Sequence, residues 1–128
     1  WAGLGYYRRA RNLHAGAKKV VDELSGVMPD TVDGLKSIPG IGEYTAGAVA
    51  SIAFKRAVPL VDGNVIRVFS RLCAVAADAK DKGLAKGCWS LARALVPADR
   101  PGDFNQGLME LGATVCTPLG PKCQSCPV

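Results

Sequence analysis

The sequence has 128 residues, of which 48% are hydrophobic and 21% charged, with a formal net charge of +5. A chain of this length suits one compact domain with its own core, and it contains no apolar run of the ~20 residues that a membrane span needs. The excess of positive charge favours a polyanionic partner, and residues 1–19 concentrate it, with five basic residues and no acid. A solvated basic face is the alternative explanation for that cluster.

The chain begins with a glycine-broken aromatic stretch, WAGLGYY. Leu4 and Tyr6 are suited to inserting between stacked bases, although such residues at a helix entry more often belong to a core. The next segment, residues 8–25, carries apolar residues at helical spacing, which predicts an amphipathic helix with a buried stripe. That stripe comprises Ala10, Leu13, Ala17, Val20, Val21 and Leu24. Gly16 is a point at which the helix could divide in two.

Residues 35–64 are the most informative stretch of the chain. A short helix over residues 31–37 is predicted to end before Pro39, because proline disfavours the α conformation in the residue that precedes it. Gly40 and Gly42 lack a Cβ atom, and the helix that follows presents free amides and the positive end of its dipole at the same place. This hairpin is therefore predicted to bind a phosphate, with a plain Pro-Gly turn as the alternative.

The remaining elements are also predicted to be helices, and no segment shows sustained strand alternation. A helix over residues 43–54 is rich in alanine and glycine, so its neighbours can approach its axis closely. Further helices are predicted over residues 64–72, 84–96 and 101–115, with a surface loop over residues 74–82. Trp89 and Leu95 are expected to point inward. The predicted fold is all-α, with about six helices and no internal repeat.

Asp62 stands one glycine before the helix over residues 64–72, where a helix-capping role is the simplest explanation. A sharper hypothesis assigns it chemistry. Breaking an N-glycosidic bond develops positive charge on the sugar, and a carboxylate near the reacting carbon stabilises that charge or attacks it. The amide of Asn64 is placed to hold that carboxylate or the sugar.

Five cysteines are an odd number, and three of them crowd into the last 13 residues with the spacing C-x6-C-x2-C. This argues against a closed disulfide framework and for metal binding in a reducing compartment. Cys116, Cys123 and Cys126 are one thiolate short of a closed tetrahedral site, and spacing alone does not choose between zinc and an iron–sulfur cluster. Cys73 and Cys88 are expected to be small buried apolar residues.

Taken together, these segments resemble the helix-hairpin-helix DNA glycosylases and, within them, the adenine DNA glycosylases of the MutY type. The signature is the hairpin over residues 35–42 followed by Pro59 and Asp62. The motifs WAGLGYY, GEYTAGAVASIAF, VDGNVIRV, FNQ and ELGATVCTP carry the likeness along essentially the whole chain. The resemblance implies an all-α helix-hairpin-helix DNA glycosylase fold. Its helix-hairpin-helix domain would cover residues 1–100, with the hairpin over residues 35–54, and a truncated iron–sulfur-cluster domain would cover residues 101–128.

The same resemblance implies a monofunctional enzyme that excises adenine mispaired with 8-oxoguanine or guanine from double-stranded DNA in base-excision repair. Asp62 and Asn64 would be catalytic, and Tyr44 and Gln106 would line the pocket for the flipped adenine. The residues implied to contact DNA are Leu4, Tyr6, Gly40, Ile41 and Gly42. Cys116, Cys123 and Cys126 would bind a [4Fe–4S] cluster whose fourth cysteine follows Val128.

Tyr44 separates two groups of relatives. Enzymes of the endonuclease III type place at this position a lysine that forms a Schiff base with the sugar, and a tyrosine has no amine with which to do so. Two alternatives remain open beside the adenine glycosylase. One is a pyrimidine glycosylase/lyase of the endonuclease III type, and the other is a helix-hairpin-helix module that binds DNA without activity.

The resemblance also places the family's catalytic glutamate before Trp1 and its lesion-reading domain after Val128. The isolated chain is therefore expected to excise adenine poorly or not at all. We expect a monomer without a membrane partner. The expected location is intracellular, in the cytoplasm of a bacterium or in the nucleus or mitochondrion of a eukaryote.

Overall fold

The computed structural model describes residues 1–78 and 80–128, and within these ranges it contains helices and no strand, as the sequence predicted. The described residues form six α-helices in chain order: α1 Tyr7–Asp22, α2 Val32–Lys36, α3 Glu43–Ile52, α4 Gly63–Leu72, α5 Lys82–Leu95 and α6 Pro101–Glu110. A π-helical turn, Leu111–Val115, continues α6, and a 3-10 turn, Cys123–Ser125, lies near the end of the chain. No helix in the described ranges is long and apolar enough to cross a membrane.

The first helix, α1, is continuous, so Gly16 does not divide it. Gly16 is buried, and a Cβ atom there would stand 3.0 Å from Cγ2 of Ile38 in the hairpin. The predicted buried stripe of α1 is wrong, since Leu13 and Val21 are each 66% exposed. The physical reason is that no other helix of residues 1–78 and 80–128 packs extensively along α1. Apolar spacing therefore specified a helix here without specifying what covers it.

The two helices of the hairpin, α2 and α3, pack directly against each other. Their shared core is Leu35, Ala46 and Ala50. Thr31 caps α2 by accepting a hydrogen bond from the amide of Gly34 at 3.2 Å. α3 ends at Ile52, two residues earlier than predicted, and the chain turns away through Lys55, whose φ of +54° is left-handed.

The larger core lies between α4 and α5 and includes the segment that precedes α4. It consists of Leu60, Val61, Val65, Val68, Phe69, Cys88 and Ala92. Trp89 packs against this core, as predicted. The inward orientation expected for Leu95 is wrong: the side chain is 49% exposed because α5 ends at this residue and the chain turns away.

The two isolated cysteines differ in their surroundings. Cys88 is buried in the larger core, as predicted, whereas Cys73 is exposed because α4 ends just before it. The loop predicted over residues 74–82 ends at Asp81, whose side chain caps α5 by accepting a hydrogen bond from the amide of the third helical residue. Ala79 of that loop lies outside the described residues.

The last helix, α6, packs against both α3 and α4, and glycines allow the close approach. A Cβ atom at Gly102 would stand 2.9 Å from the carbonyl oxygen of Ser51. One at Gly112, in the π-helical turn, would stand 2.7 Å from Cβ of Asn64. Both distances are too short for a side chain to be accommodated without a shift. α6 thus packs on helices of the first predicted domain, and the domain boundary at residue 100 stays a prediction.

Candidate active site

The hairpin between α2 and α3 has the geometry of an anion site. Gly40 has a φ of +88°, and a Cβ atom there would stand 2.8 Å from Cβ of Asn12 in α1, so this position requires glycine. Gly42 is the N-cap of α3, and a Cβ atom there would meet nothing within 4 Å. In the described ranges, the amides of Gly40 and Gly42 bond to no backbone acceptor. They are therefore available to an anion at the N-terminus of α3.

Ile41 plays a different part in the hairpin. Its amide donates to the carbonyl oxygen of Ile38 at 3.1 Å, and its side chain packs against the small core. An ion pair between Lys36 and Glu43 joins the end of α2 to the start of α3. The pKa of Lys36 lies above its ordinary value because its ammonium donates a hydrogen bond to the Glu43 carboxylate. This pairing offsets the negative charge of Glu43 beside the anion site.

Asp62 is held at both carboxylate oxygens. Its Oδ1 accepts from the amide of Val65 at 2.8 Å, which makes Asp62 the N-cap of α4. Its Oδ2 accepts from Nδ2 of Asn64 at 3.0 Å. The simple capping role and the predicted partnership with Asn64 are therefore both present. The half-buried carboxylate has a fixed orientation and keeps lone pairs on both oxygens for another group.

Arg67 continues this hydrogen-bond chain, and the sequence offered no role for it. Its Nη2 donates to Oδ1 of Asn64 at 2.8 Å and to the carbonyl oxygen of Gly112 at 2.6 Å, and its Nε donates to the carbonyl oxygen of Cys116 at 2.7 Å. Asp62, Asn64, Arg67 and the backbone of Cys116 thus form one connected path. The signal in the sequence was the spacing of three residues between Asn64 and Arg67, which places both on one helical face.

Arg71, one turn further along α4, binds the segment that follows Cys116. Its guanidinium donates to the carbonyl oxygens of Thr117 at 2.8 Å and Pro118 at 3.1 Å, and to Sγ of Cys116 at 3.4 Å. The rigid planar fork of arginine suits several acceptors at once, which a lysine could not match. Two arginines at i, i+4 spacing therefore fix the cysteine-containing segment onto the helix that Asp62 caps.

Tyr44 and Gln106 lie on facing helices, α3 and α6. The Tyr44 hydroxyl donates to Sδ of Met109 at 3.5 Å, and Met109 stands one turn after Gln106 on α6. Gln106 is exposed and donates through Nε2 to the carbonyl oxygen of Gly102 at 3.2 Å. Within the described ranges, neither Tyr44 nor Gln106 forms a hydrogen bond with Asp62. Met109 is a contact that the sequence analysis missed, because a methionine on a helix is ordinarily a core residue.

The aromatic loop before α1 is exposed. Leu4 is 70% exposed and Tyr6 is 79% exposed, so neither is the core residue that the alternative interpretation expected. Tyr6 has a left-handed φ of +50°, and the guanidinium of Arg9 lies 5.6 Å from the centre of its ring. Nε1 of Trp1 donates to the carbonyl oxygen of Gly5 at 2.8 Å, which closes the loop on itself. The loop presents apolar side chains beside basic ones.

Cys116, Cys123 and Cys126 line one cavity of about 200 Å³, together with Arg71 and apolar side chains of α4. In the part of the chain described, no three potential ligands lie close enough to hold a single metal ion. Three thiols around one shared cavity are the donor type that zinc and iron–sulfur clusters both bind. The donor set is therefore compatible with the cluster that the resemblance implies.

The fold and this site define a helix-hairpin-helix protein in which an aspartate after the hairpin is held in place by hydrogen bonds. A family model described as "HhH-GPD superfamily base excision DNA repair protein" matches residues 1–94. The chain belongs to this superfamily of base-excision DNA repair proteins.

Relatives and solved structures agree with this assignment. The chain is 61% identical over 128 residues to an adenine DNA glycosylase of Arabidopsis thaliana and 57% identical over 129 residues to one of Homo sapiens, with all of this chain covered. It spans only 20% and 24% of those proteins. A trapped endonuclease III–DNA covalent intermediate matches 96% of this chain and 56% of its own, with a TM-score of 0.79 at 29% identity.

Proposed function

We propose that this chain is the part of an adenine DNA glycosylase that carries the catalytic aspartate, in an enzyme that removes adenine mispaired with 8-oxoguanine or guanine. The observation that carries the proposal is the Asp62–Asn64 pair at the start of α4, in a chain 61% identical to an adenine DNA glycosylase. The partner is double-stranded DNA, and the enzyme acts on it as a monomer.

The hairpin and the aromatic loop supply the grip on DNA. The amides of Gly40 and Gly42 bind a backbone phosphate at the N-terminus of α3. Leu4 and Tyr6 insert between stacked bases, which is supported by their exposure next to the basic residues of α1. Ile41 lies between the two glycines in the same contact with DNA, with its own amide already bonded to the carbonyl oxygen of Ile38. Phosphate contacts of this kind make binding fall as salt rises.

The reaction itself depends on Asp62. The adenine leaves the base stack for the surface between α3 and α6, where Tyr44 and Gln106 contact it. As the bond from the sugar to adenine breaks, its electron pair leaves with the base and positive charge grows on the sugar. The Asp62 carboxylate stabilises that charge or bonds transiently to the sugar carbon, and Asn64 keeps it oriented. The proton that adenine takes up comes from the glutamate that the resemblance places before Trp1. Water then adds to the sugar carbon, displacing Asp62 where that bond has formed, and its proton returns to the same glutamate.

The mechanism depends on the negative charge of the Asp62 carboxylate, and the Asp62→Asn variant tests this dependence. Asparagine caps a helix as well as aspartate does, so the change removes charge while it keeps the cap. In a chain extended to the length of its relatives, we expect the single-turnover rate of adenine release from an A:8-oxoguanine duplex to fall at least about 100-fold. Asp81→Asn is the matched control, because Asp81 caps α5 by the same kind of bond, at 2.7 Å from Leu84 N, and its rate should stay unchanged.

Retention of full activity by Asp62→Asn would contradict the role of Asp62. A duplex that contains an oxidised pyrimidine, used beside the A:8-oxoguanine duplex, distinguishes the other two functions. Borohydride trapping of an enzyme–DNA adduct, abolished by mutating a lysine, would indicate an endonuclease III-like lyase, which the tyrosine at position 44 disfavours. Binding without release of any base by the extended chain would indicate a DNA-binding module alone. The 128-residue chain by itself should bind duplex DNA and release little or no adenine.

We further propose that Cys116, Cys123 and Cys126 hold a [4Fe–4S] cluster, with a fourth cysteine from beyond Val128. Such a cluster, when bound, is a fixed point that orders the segment after the π-helical turn. The extended chain should be brown and contain about four iron atoms with sulfide. Cys126→Ala should lose colour and iron, while Cys73→Ala, an exposed cysteine outside the cavity, should keep both. A colourless protein with stoichiometric zinc would contradict the assignment.

A further inference from the structure

The side chain of Asn105 is fully buried in the middle of α6, with 0% exposure. Its Nδ2 donates two hydrogen bonds, one to Oγ of Ser51 on α3 at 2.8 Å and one to the carbonyl oxygen of Val58 at 3.0 Å. Ser51 is also buried, and its hydroxyl donates to the carbonyl oxygen of Gly47 at 2.7 Å. Asn105 thus joins α6, α3 and the segment that leads to Asp62.

The chemistry of its neighbours fixes the orientation of this amide. The carbonyl of Val58 can only accept, and the hydroxyl proton of Ser51 is already given to Gly47, so both positions require the NH₂ group of Asn105. The amide oxygen, Oδ1, is buried with no hydrogen-bond partner in the described ranges. Burying an oxygen without a hydrogen bond costs free energy, so stability alone does not explain an asparagine at this position. Its structural role lies in the two hydrogen bonds that Nδ2 donates.

Val58 begins the short segment that delivers Asp62 to α4. The next three residues, 59–61, are all buried, and Leu60 and Val61 belong to the larger core. A Cβ atom at Gly47 would stand 2.2 Å from the carbonyl oxygen of Pro59, so the backbone of α3 lies directly against this segment. Asn105 holds one end of the segment at Val58, and the capping bond from Val65 holds the other end at Asp62.

We propose that Asn105 is a positioning residue for Asp62: by holding the carbonyl of Val58, it fixes the register of residues 58–62 and hence the place of the carboxylate. The inference rests on the proposed function. It separates the two neighbours in the FNQ motif, since Gln106 is exposed to solvent while Asn105 is buried in the core and acts through the backbone.

The test compares Asn105→Leu with Ser51→Ala in the extended chain. Asn105→Leu keeps the branched shape and the number of heavy side-chain atoms and removes both donors, so the tie to Val58 is lost. Ser51→Ala breaks the bond between Ser51 and Asn105 but leaves the tie to Val58, which makes it the matched control. We expect Asn105→Leu to lower the single-turnover rate of adenine release by about 10- to 100-fold, as small displacements of reacting groups do. Ser51→Ala should change that rate less than about threefold.

A second readout reports the place of the charge. Duplexes that carry a cationic pyrrolidine in place of the sugar, or a neutral tetrahydrofuran, measure how strongly Asp62 favours a positive sugar. Asn105→Leu should lose most of the preference for the cationic duplex while binding the neutral one as the wild type does. A variant that is merely less stable would weaken both alike. Asn105→Ala, which is smaller and also lacks both donors, carries the same expectations if the leucine variant does not fold.

Equal rates and equal cation preference in wild type and Asn105 variants would overturn the inference, and so would a loss in Ser51→Ala as large as that in Asn105→Leu. If the wild type released no base, the proposed function would fail first. Hydrogen exchange then decides the remaining question. Faster exchange confined to residues 58–62 in Asn105→Leu, and absent in Ser51→Ala, would support the positioning role, while unchanged exchange there would overturn it.

Discussion

The centre of the molecule and its amino-terminal segment are packed in opposite ways. In the centre, α3 meets the segment before Asp62 and α6 at backbone distance, through Gly47 and Gly102. In the amino-terminal segment, α1 touches the hairpin at Gly16 and leaves large apolar side chains such as Leu13 in solvent. Small residues in the sequence therefore indicate where two backbones pack closely, whereas an apolar stripe indicates only that a helix forms.

The largest effect should come from the closest backbone contact. In Gly47→Ala the new methyl group would stand 2.2 Å from the carbonyl oxygen of Pro59, and neither backbone can move without disturbing the core. We expect a loss of more than about 4 kcal/mol in the free energy of unfolding, the extreme of single substitutions, measured by urea denaturation. Gly107→Ala is the control on α6, where a Cβ atom has no neighbour within 4 Å. Because alanine favours a helix more than glycine does, this variant should raise the free energy of unfolding by about 0.5–1 kcal/mol. Equal effects would refute the contrast.

A smaller effect distinguishes buried from exposed leucines. Leu60 is 0% exposed in the larger core, and Leu60→Ala should lower the free energy of unfolding by about 2–5 kcal/mol through lost burial and a residual cavity. Leu13→Ala on α1 removes the same atoms from a side chain that is 66% exposed, and should change stability by less than about 0.5 kcal/mol. A large loss in Leu13→Ala would show that α1 is covered in solution.

The smallest effect concerns the two isolated cysteines. The pKa of the Cys88 thiol lies above its ordinary value, because burial disfavours the thiolate and the nearby Cys73 adds to this. Cys73 should therefore react with iodoacetamide long before Cys88 does, as read by peptide mass spectrometry. A raised folded-state pKa gives stability that is complete below the ordinary thiol pKa and is lost as pH rises through the folded value. The alkaline loss of stability should accordingly be shallower in Cys88→Ala than in the wild type.

The order and type of the elements could be predicted from the sequence because each helix has local signals. Pro39 and Gly40 end one helix, and Asp62 and Asp81 cap two others. Each of these four residues affects only the backbone within a few positions of it. The pairing of Asp62 with Asn64 was predictable for the same reason, since they are two positions apart in the chain.

Other parts of the site could not be predicted, because they depend on residues far apart in sequence. Arg67 and Cys116 are 49 residues apart, and Asn105 and Ser51 are 54 apart. No periodicity reports such partners. The exposure of Leu13 and Cys73 could not be predicted from the sequence pattern. A pattern indicates which side chains favour burial, but the packing of the neighbouring helices determines which of them are buried.

The π-helical turn at residues 111–115 makes this part of the chain sensitive to residue count as well as to residue identity. The amide of Cys116 bonds back to Leu111, one residue further than an α-helix would reach. A π-helical turn holds one residue more than an α-helical turn, so a chain shorter by one residue here could resume α geometry with the following segment in nearly the same place. A chain longer by one residue would instead rotate that segment by about 100° around the helix axis and move the thiols off the side of α4 that carries Arg71. One-residue deletions in this turn should therefore be tolerated better than one-residue insertions.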